Sequence, residues 1–186
     1  MHDWLRVATS ALVSGTVASL TMTAALALLA RKEGKGALQP VNSTSHWLHG
    51  KQVDSYRGAD IPHTAVGYGT HHASALLWAV IFEKWLARQP RRPTLLMLRD
   101  ASVMSAIAAA VDYGITPKRL TPGWEEVLSV RSIALTYAAM SVGLAAGALL
   151  SRHLKERPTS ISIPPRDLAR LELAEPSIAV SSNYSV

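Results

Sequence analysis

Five of the seven histidines fall between His46 and His72, as Ser45-His46-Trp47-Leu48-His49-Gly50 and then His63-Thr64-Ala65-Val66-Gly67-Tyr68-Gly69-Thr70-His71-His72. Imidazole moves protons near neutral pH and binds borderline metals, so this stretch is where chemistry is first sought. His46 and His49 are three apart and share a face if their segment is helical. His63 and His71 join them only if the intervening loop folds back over the next helix. Such a set suits Zn, Fe, Cu or Ni, which makes His46, His49, His63 and His71 candidate metal ligands. Their spacing matches no established signature: the chain has no His-Glu-x-x-His, no Glu-x-x-His pair and no cysteine. Two other readings stand beside the metal one. Loop histidines bond carbonyls and lipid head groups, and a histidine cluster gains charge between about pH 5 and 8, with Lys51 and Arg57 adding to the repulsion.

The elements that must position these residues are apolar rods. Charges are pushed between four apolar blocks, which predict helices at about 5–31, 66–87, 94–115 and 127–153. A bilayer core of about 30 Å needs about 20 such residues at about 1.5 Å each. From Val7 to Ala30 there is no charge at all. A cleaved signal peptide fits this stretch poorly, because Asp3 would lie in its basic start and its apolar region would exceed roughly 15 residues. The second block is fully apolar only from Ala73 to Phe82 and must borrow neighbours on both sides to span. Trp4 and Trp124 read as interfacial anchors. Asn42-Ser43-Thr44 fits a glycosylation acceptor pattern. The Pro- and Ser-rich end, 158–186, reads as a disordered cytoplasmic tail. The expected fold is therefore all-α: a polytopic membrane protein with four transmembrane helices in an up-down bundle, carrying a His-rich extracytoplasmic loop.

The net charge of +6 does not argue for nucleic acid. The basic residues sit at block ends, as the positive-inside rule places them, and form no face interleaved with aromatics. With four crossings, Arg6, Arg88, Arg91, Arg92, Arg152, Lys155, Arg157, Arg166 and Arg170 share the side of both termini. Arg31, Lys32, Lys35, Lys51, Arg57, Lys118 and Arg119 take the other. That bias puts both termini in the cytoplasm and the histidines outside.

Small residues mark helix contacts. Ser10, Ser14, Gly15 and Ala18 line one side of the first helix, and Gly143 and Gly147 are four apart in the last. Both patterns let backbones approach closely, within the chain or against a second copy or another membrane protein.

Equal rise per residue sets opposing residues of an antiparallel hairpin at equal height. About a turn near Arg91, Glu83 falls level with Arg99, and Lys84 with Asp100, as charge pairs. The same arithmetic sets His71 and Arg131 level with Asp112. Asp112 then either orients the His71 ring behind a metal or simply neutralises Arg131.

His63–His72 leading into Ala73–Phe82, then Tyr113-Gly114-Ile115-Thr116-Pro117, Trp124-Glu125 and Arg152-His153-Leu154-Lys155 resemble small bacterial inner-membrane proteins of the YagU type. The resemblance implies a bacterial inner-membrane location and a polytopic helical fold, and it carries over no catalytic residues. Together these signs point to a small inner-membrane protein with a structural, accessory or stress-related role. The alternatives are a metal-binding membrane protein or metal-dependent membrane enzyme, and a proton- or solute-conducting subunit built on Asp112 and Arg131.

Overall fold

A computed structural model describes residues 2–156, and the expected tail at 158–186 lies outside the described residues. Four long helices dominate: α1 (His2–Lys32), α4 (Val66–Ala87), α5 (Thr94–Gly114) and α6 (Val130–Glu156). Between α1 and α4 lie two short helices, α2 (Gln39–Ser43) and α3 (His46–His49), a 3-10 turn at Lys51–Ser55 and a π turn at Ile61–Ala65. A second 3-10 turn, Trp124–Glu126, precedes α6. There is no strand among the described residues.

Small residues decide how the long helices pack. On α1 the buried positions Ser10, Ala11, Ser14, Ala18, Ser19, Met22, Leu26 and Ala30 recur at helical spacing. Facing them on α6 are Ser151, Gly147 and Gly143. The Ser151 hydroxyl donates to Ser10 Oγ at 3.0 Å, and the Thr21 hydroxyl donates to the Ala139 carbonyl at 3.3 Å. A Cβ on Gly147 would overlap the Ser14 backbone, and one on Gly143 would lie 2.6 Å from Ala18 Cα. Numbers rise on one helix as they fall on the other, so the two are antiparallel. The face of Gly143 and Gly147 is taken up by α1 of the same chain, the first of the alternatives its small residues allow.

On another side α1 packs against α4. Gly15 lies against Leu76 and Ala79, and His71 meets the Ser19 carbonyl through Nε2 at 3.3 Å. The fourth long helix, α5, is tied to α6 by the Tyr137 hydroxyl, which donates to Asp112 Oδ2 at 2.6 Å. The pairing of α4 with α5 is slight.

The surface is unusually apolar for a protein in water. Serine, threonine and glycine share the helix contacts with an apolar core that includes Met22, Leu26, Phe82, Met97 and Leu144, while Leu12, Leu20, Leu28, Leu77, Ile107, Leu135 and Val142 point outward and exposed. Apolar surface in water costs about 25 cal/mol per Å², and large continuous patches of it mark a non-aqueous neighbour. Three helices, Trp4–Lys32, Thr94–Gly114 and Val130–Glu156, are long and apolar enough to cross a membrane. The helix α4 falls short because Tyr68, His71, His72, Glu83 and Lys84 flank an uncharged stretch of only ten residues, Ala73 to Phe82, that itself contains Ser74.

Candidate functional site

The loop after α1 is folded by two buried amides. Asn42, 0% exposed, donates from Nδ2 to the carbonyls of Tyr56 and Gly58 at 3.1 and 3.0 Å. Its Oδ1 accepts the Thr64 hydroxyl at 2.7 Å. Gln39 donates to the Asp54 carbonyl at 2.6 Å and accepts from the Gly36 amide. These side chains supply the partners that an irregular backbone lacks. Full burial with every amide atom bonded also removes Asn42 as a glycosylation acceptor. The cap then seats on α4 at Gly67, where any Cβ would overlap the Val41 carbonyl.

On the outer flank of this cap Asp60 gathers donors. Its Oδ1 accepts the His63 amide at 2.8 Å and its Oδ2 meets His63 Nδ1 at 2.7 Å. Burial would raise the Asp60 carboxyl. Hydrogen bonds from the His63 side chain and amide and from the Tyr56 hydroxyl outweigh it and hold the carboxyl well below the usual range. The Tyr56 hydroxyl is correspondingly raised, chiefly because it donates to that carboxylate.

Beneath the cap lies a cavity of about 330 Å³. Its walls carry Trp47, Trp78, Trp124 and Tyr137, with His71 and Asp112 as the titratable groups. Indole nitrogens lock the roof: Trp124 Nε1 donates to Thr44 Oγ1 at 3.1 Å and Trp47 Nε1 to Thr70 Oγ1 at 3.2 Å. Trp124 lies between His71, which it meets edge to face, and Tyr137, whose ring is tilted to it, with ring centroids 5.7 and 5.9 Å away. At 2% exposed it is a core residue, not the interfacial anchor its sequence position suggests. Neither lysine nor arginine lines the cavity.

The four candidate ligands do not meet at one point. His46 has Nδ1 on the Ser43 carbonyl at 2.9 Å and Nε2 near the Lys118 carbonyl at 3.2 Å. His49 Nε2 faces the Pro62 carbonyl at 2.9 Å, and its ring packs 4.8 Å from that of His63, itself taken by Asp60. His71 is buried separately against α1 and Trp124. Backbone oxygens hold ring nitrogens of His46, His49 and His71, and the Asp60 carboxylate holds one of His63. Among the described residues no three His, Asp or Glu side chains are grouped to hold a metal. The geometry therefore gives His46, His49, His63 and His71 no shared ion.

The charge pairs also differ from the hairpin arithmetic. Asp100 pairs with Arg92 at 3.2 Å and with its neighbour Arg99 at 3.0 Å, not with Lys84. Lys84 instead lies over the Trp4 ring, 4.5 Å from its centroid. Glu83 is buried at the far end of the bundle, in a cleft with Arg152 and Lys155 instead of Arg99. Asp112 shares its cavity with His71, but its bond is to Tyr137, and Arg131 is exposed. For the two pairs across the α4–α5 turn the cause is common: α4 lies on α1 and α5 on α6, so residues level across that turn do not face each other. Arg131, by contrast, lies on an outward face of α6 while Tyr137 takes the inward one.

No protein-family model, curated protein or solved structure matches the chain. Sequence reasoning had singled out His71 and Asp112, but not the three tryptophans and Tyr137 that complete the enclosure. Trp47 and Trp124 come from loops distant in sequence, and no periodicity links them. The one available signal was composition: of five tryptophans, three converge here.

Proposed function

We propose that the chain is a four-span integral membrane protein of the bacterial inner membrane that binds a small apolar cation beneath its extracytoplasmic cap. It binds without chemistry of its own. The observation that carries this reading is the cavity: one carboxylate, Asp112, among three indoles, a phenol and the His71 imidazole, with no lysine or arginine in its walls. Aromatic faces attract ammonium groups, most strongly when water is excluded, and a carboxylate facing the same space adds charge preference. A volume of about 330 Å³ stands at the small end of ligand pockets, which run from about 300 to 1,000 Å³. Exposed apolar side chains on each of the four long helices, such as Leu20, Leu77, Ile107 and Leu135, support their burial in lipid. The Lys/Arg bias of the sequence supports cytoplasmic termini.

Titrating the full chain in neutral detergent with benzyltrimethylammonium, against its uncharged carbon analogue, tests this. Tryptophan fluorescence reports occupancy. The cation is expected to bind at least about tenfold more tightly, about 1.4 kcal/mol, and Asp112→Asn is expected to erase the difference. Equal affinity for the two compounds, or discrimination that survives Asp112→Asn, would sink the proposal.

A further inference from the structure

The opposite end of the bundle carries a second concavity, of about 680 Å³, between the start of α1 and the ends of α4 and α6. Arg6, Lys84, Arg88, Arg91, Arg152 and Lys155 line it, and Glu83 is its one carboxylate. Three of these cations contact groups that do not cancel their charge. Lys155 Nζ donates to the Arg6 carbonyl at 2.9 Å and to Ser10 Oγ, Arg152 reaches the Arg92 carbonyl at 3.4 Å, and Lys84 rests on the Trp4 ring. A cradle of preset donors with a positive surplus selects a phosphate-bearing anion. The same walls include Trp4, Val7 and Leu86, apolar side chains that a free anion would not use. Basic pockets at helix ends facing the cytoplasm suit lipid head groups for this reason.

We infer that this cleft is a binding site for the phosphate of an anionic phospholipid, with the acyl chains leaving past Trp4 and Leu86. The inference rests on the bilayer reading above but not on the cation cavity.

Lipid retained by the purified full chain, counted by native mass spectrometry, provides the test. Phosphatidylglycerol is expected to be held in preference to phosphatidylcholine. Each cation beside an anionic lipid strengthens binding roughly fivefold, so the double variant Arg6→Gln/Arg152→Gln should weaken it roughly thirtyfold. Lys84→Gln/Arg88→Gln is a second pair, for the case that the first fails to fold. Arg31→Gln/Lys32→Gln, an equal loss of charge at the other end of α1, should leave retention unchanged. The inference is overturned by equal retention of the two lipids, by an equal effect of the Arg31/Lys32 pair, or by inorganic phosphate displacing the lipid at matched phosphate concentration. An inserted protein indifferent to head group overturns this site alone, whereas a chain that stays monodisperse without detergent overturns the bilayer reading.

Discussion

Replacing Asn42 with alanine tests whether the cap is held by one buried side chain. The amide makes three hydrogen bonds across the cap, to Tyr56, Gly58 and Thr64. Each is worth about 0.5–1.5 kcal/mol net, and carbonyls left behind cost more if they stay dry. The Tyr56 and Gly58 segment is partly exposed, so water can reach the orphaned carbonyls once the loop loosens. The expected loss is therefore about 2–4 kcal/mol.

That loss should fall on the cap and not on the whole bundle, because the helix contacts of α1 with α4 and α6 do not involve Asn42. Amide exchange separates the two cases. The amides of Thr64 and Ala65, both bonded to the Asp60 carbonyl, should exchange roughly thirty- to several-hundred-fold faster. Amides in the middle of α6 should not change. Asn42→Asp sharpens the test: it keeps the acceptor for Thr64 but turns a charged oxygen toward two carbonyls, and should be the more damaging variant. Unchanged exchange at Thr64 in Asn42→Ala, or equal acceleration throughout α6, would refute the assignment of Asn42 as the latch.

Gly123→Ala should lower the thermal midpoint, at a cost of about 1–3 kcal/mol for the strained backbone alone. Gly123 has φ +77°, and its Cβ would lie 2.6 Å from His46 Nδ1. A variant as stable as the parent would mean that the loop is not seated on His46. Gly147→Leu should force α1 from α6, costing about 1–3 kcal/mol or more by overpacking. Loss of a monodisperse peak in gel filtration is the readout, and an unaltered peak argues against close packing at Ser14. Glu33 accepts the Ser129 amide and the hydroxyls of Ser129 and Ser132, at 3.0, 2.6 and 2.5 Å, at the start of α6. Those bonds, from the Ser129 hydroxyl first, hold its carboxyl below the usual range. A depressed acid stabilises the fold above its ordinary value, about pH 4.3, and loses that contribution as pH falls through the lowered one. Acid unfolding curves of Glu33→Gln should lack this component, and identical curves would exclude the contact.

Much of the helical architecture could be read from the chain because charge and length speak directly to it. The ends of α4 and α5 lie where Pro62, the Arg88–Pro93 turn and Pro117 interrupt the apolar blocks. Height along a bundle is equally legible, since every helix rises alike, and His71 and Asp112 do share one level and one cavity. What a single sequence withholds is azimuth. Arg131 and Tyr137 both lie within reach of the height of Asp112, but six residues of α6 turn one outward and the other inward. The small residues of α1 and α6 contained the missing information. Ser10, Ser14 and Ala18 match Ser151, Gly147 and Gly143 at one constant offset, and pairing those faces first would have left α4 and α5 on opposite flanks. Asn42 and Gln39 were illegible for another reason: a buried amide that replaces backbone partners has no spacing rule, and the surface motif around Asn42 pointed the wrong way.

On the bilayer reading proposed above, the two ends of the bundle differ in a way that bears on the direction of insertion. Trp124, Tyr137 and Asp112 make one end aromatic and acidic inside, while Arg6, Lys84, Arg152 and Lys155 make the other basic inside. Surface charges are screened within about 10 Å at ordinary salt, whereas charges in a partly closed cleft keep more of their reach. The orientation preference should therefore depend more on the cleft than on the mobile count of loop lysines. Neutralising Arg6, Arg88, Arg152 and Lys155 together should let a fraction of molecules insert reversed, seen as protease access or labelling at both termini from the outer face. Neutralising Arg31, Lys32, Lys118 and Arg119 should instead strengthen the original direction. If the two quadruple variants shift orientation equally and in the same sense, the basic cleft has no part in setting it.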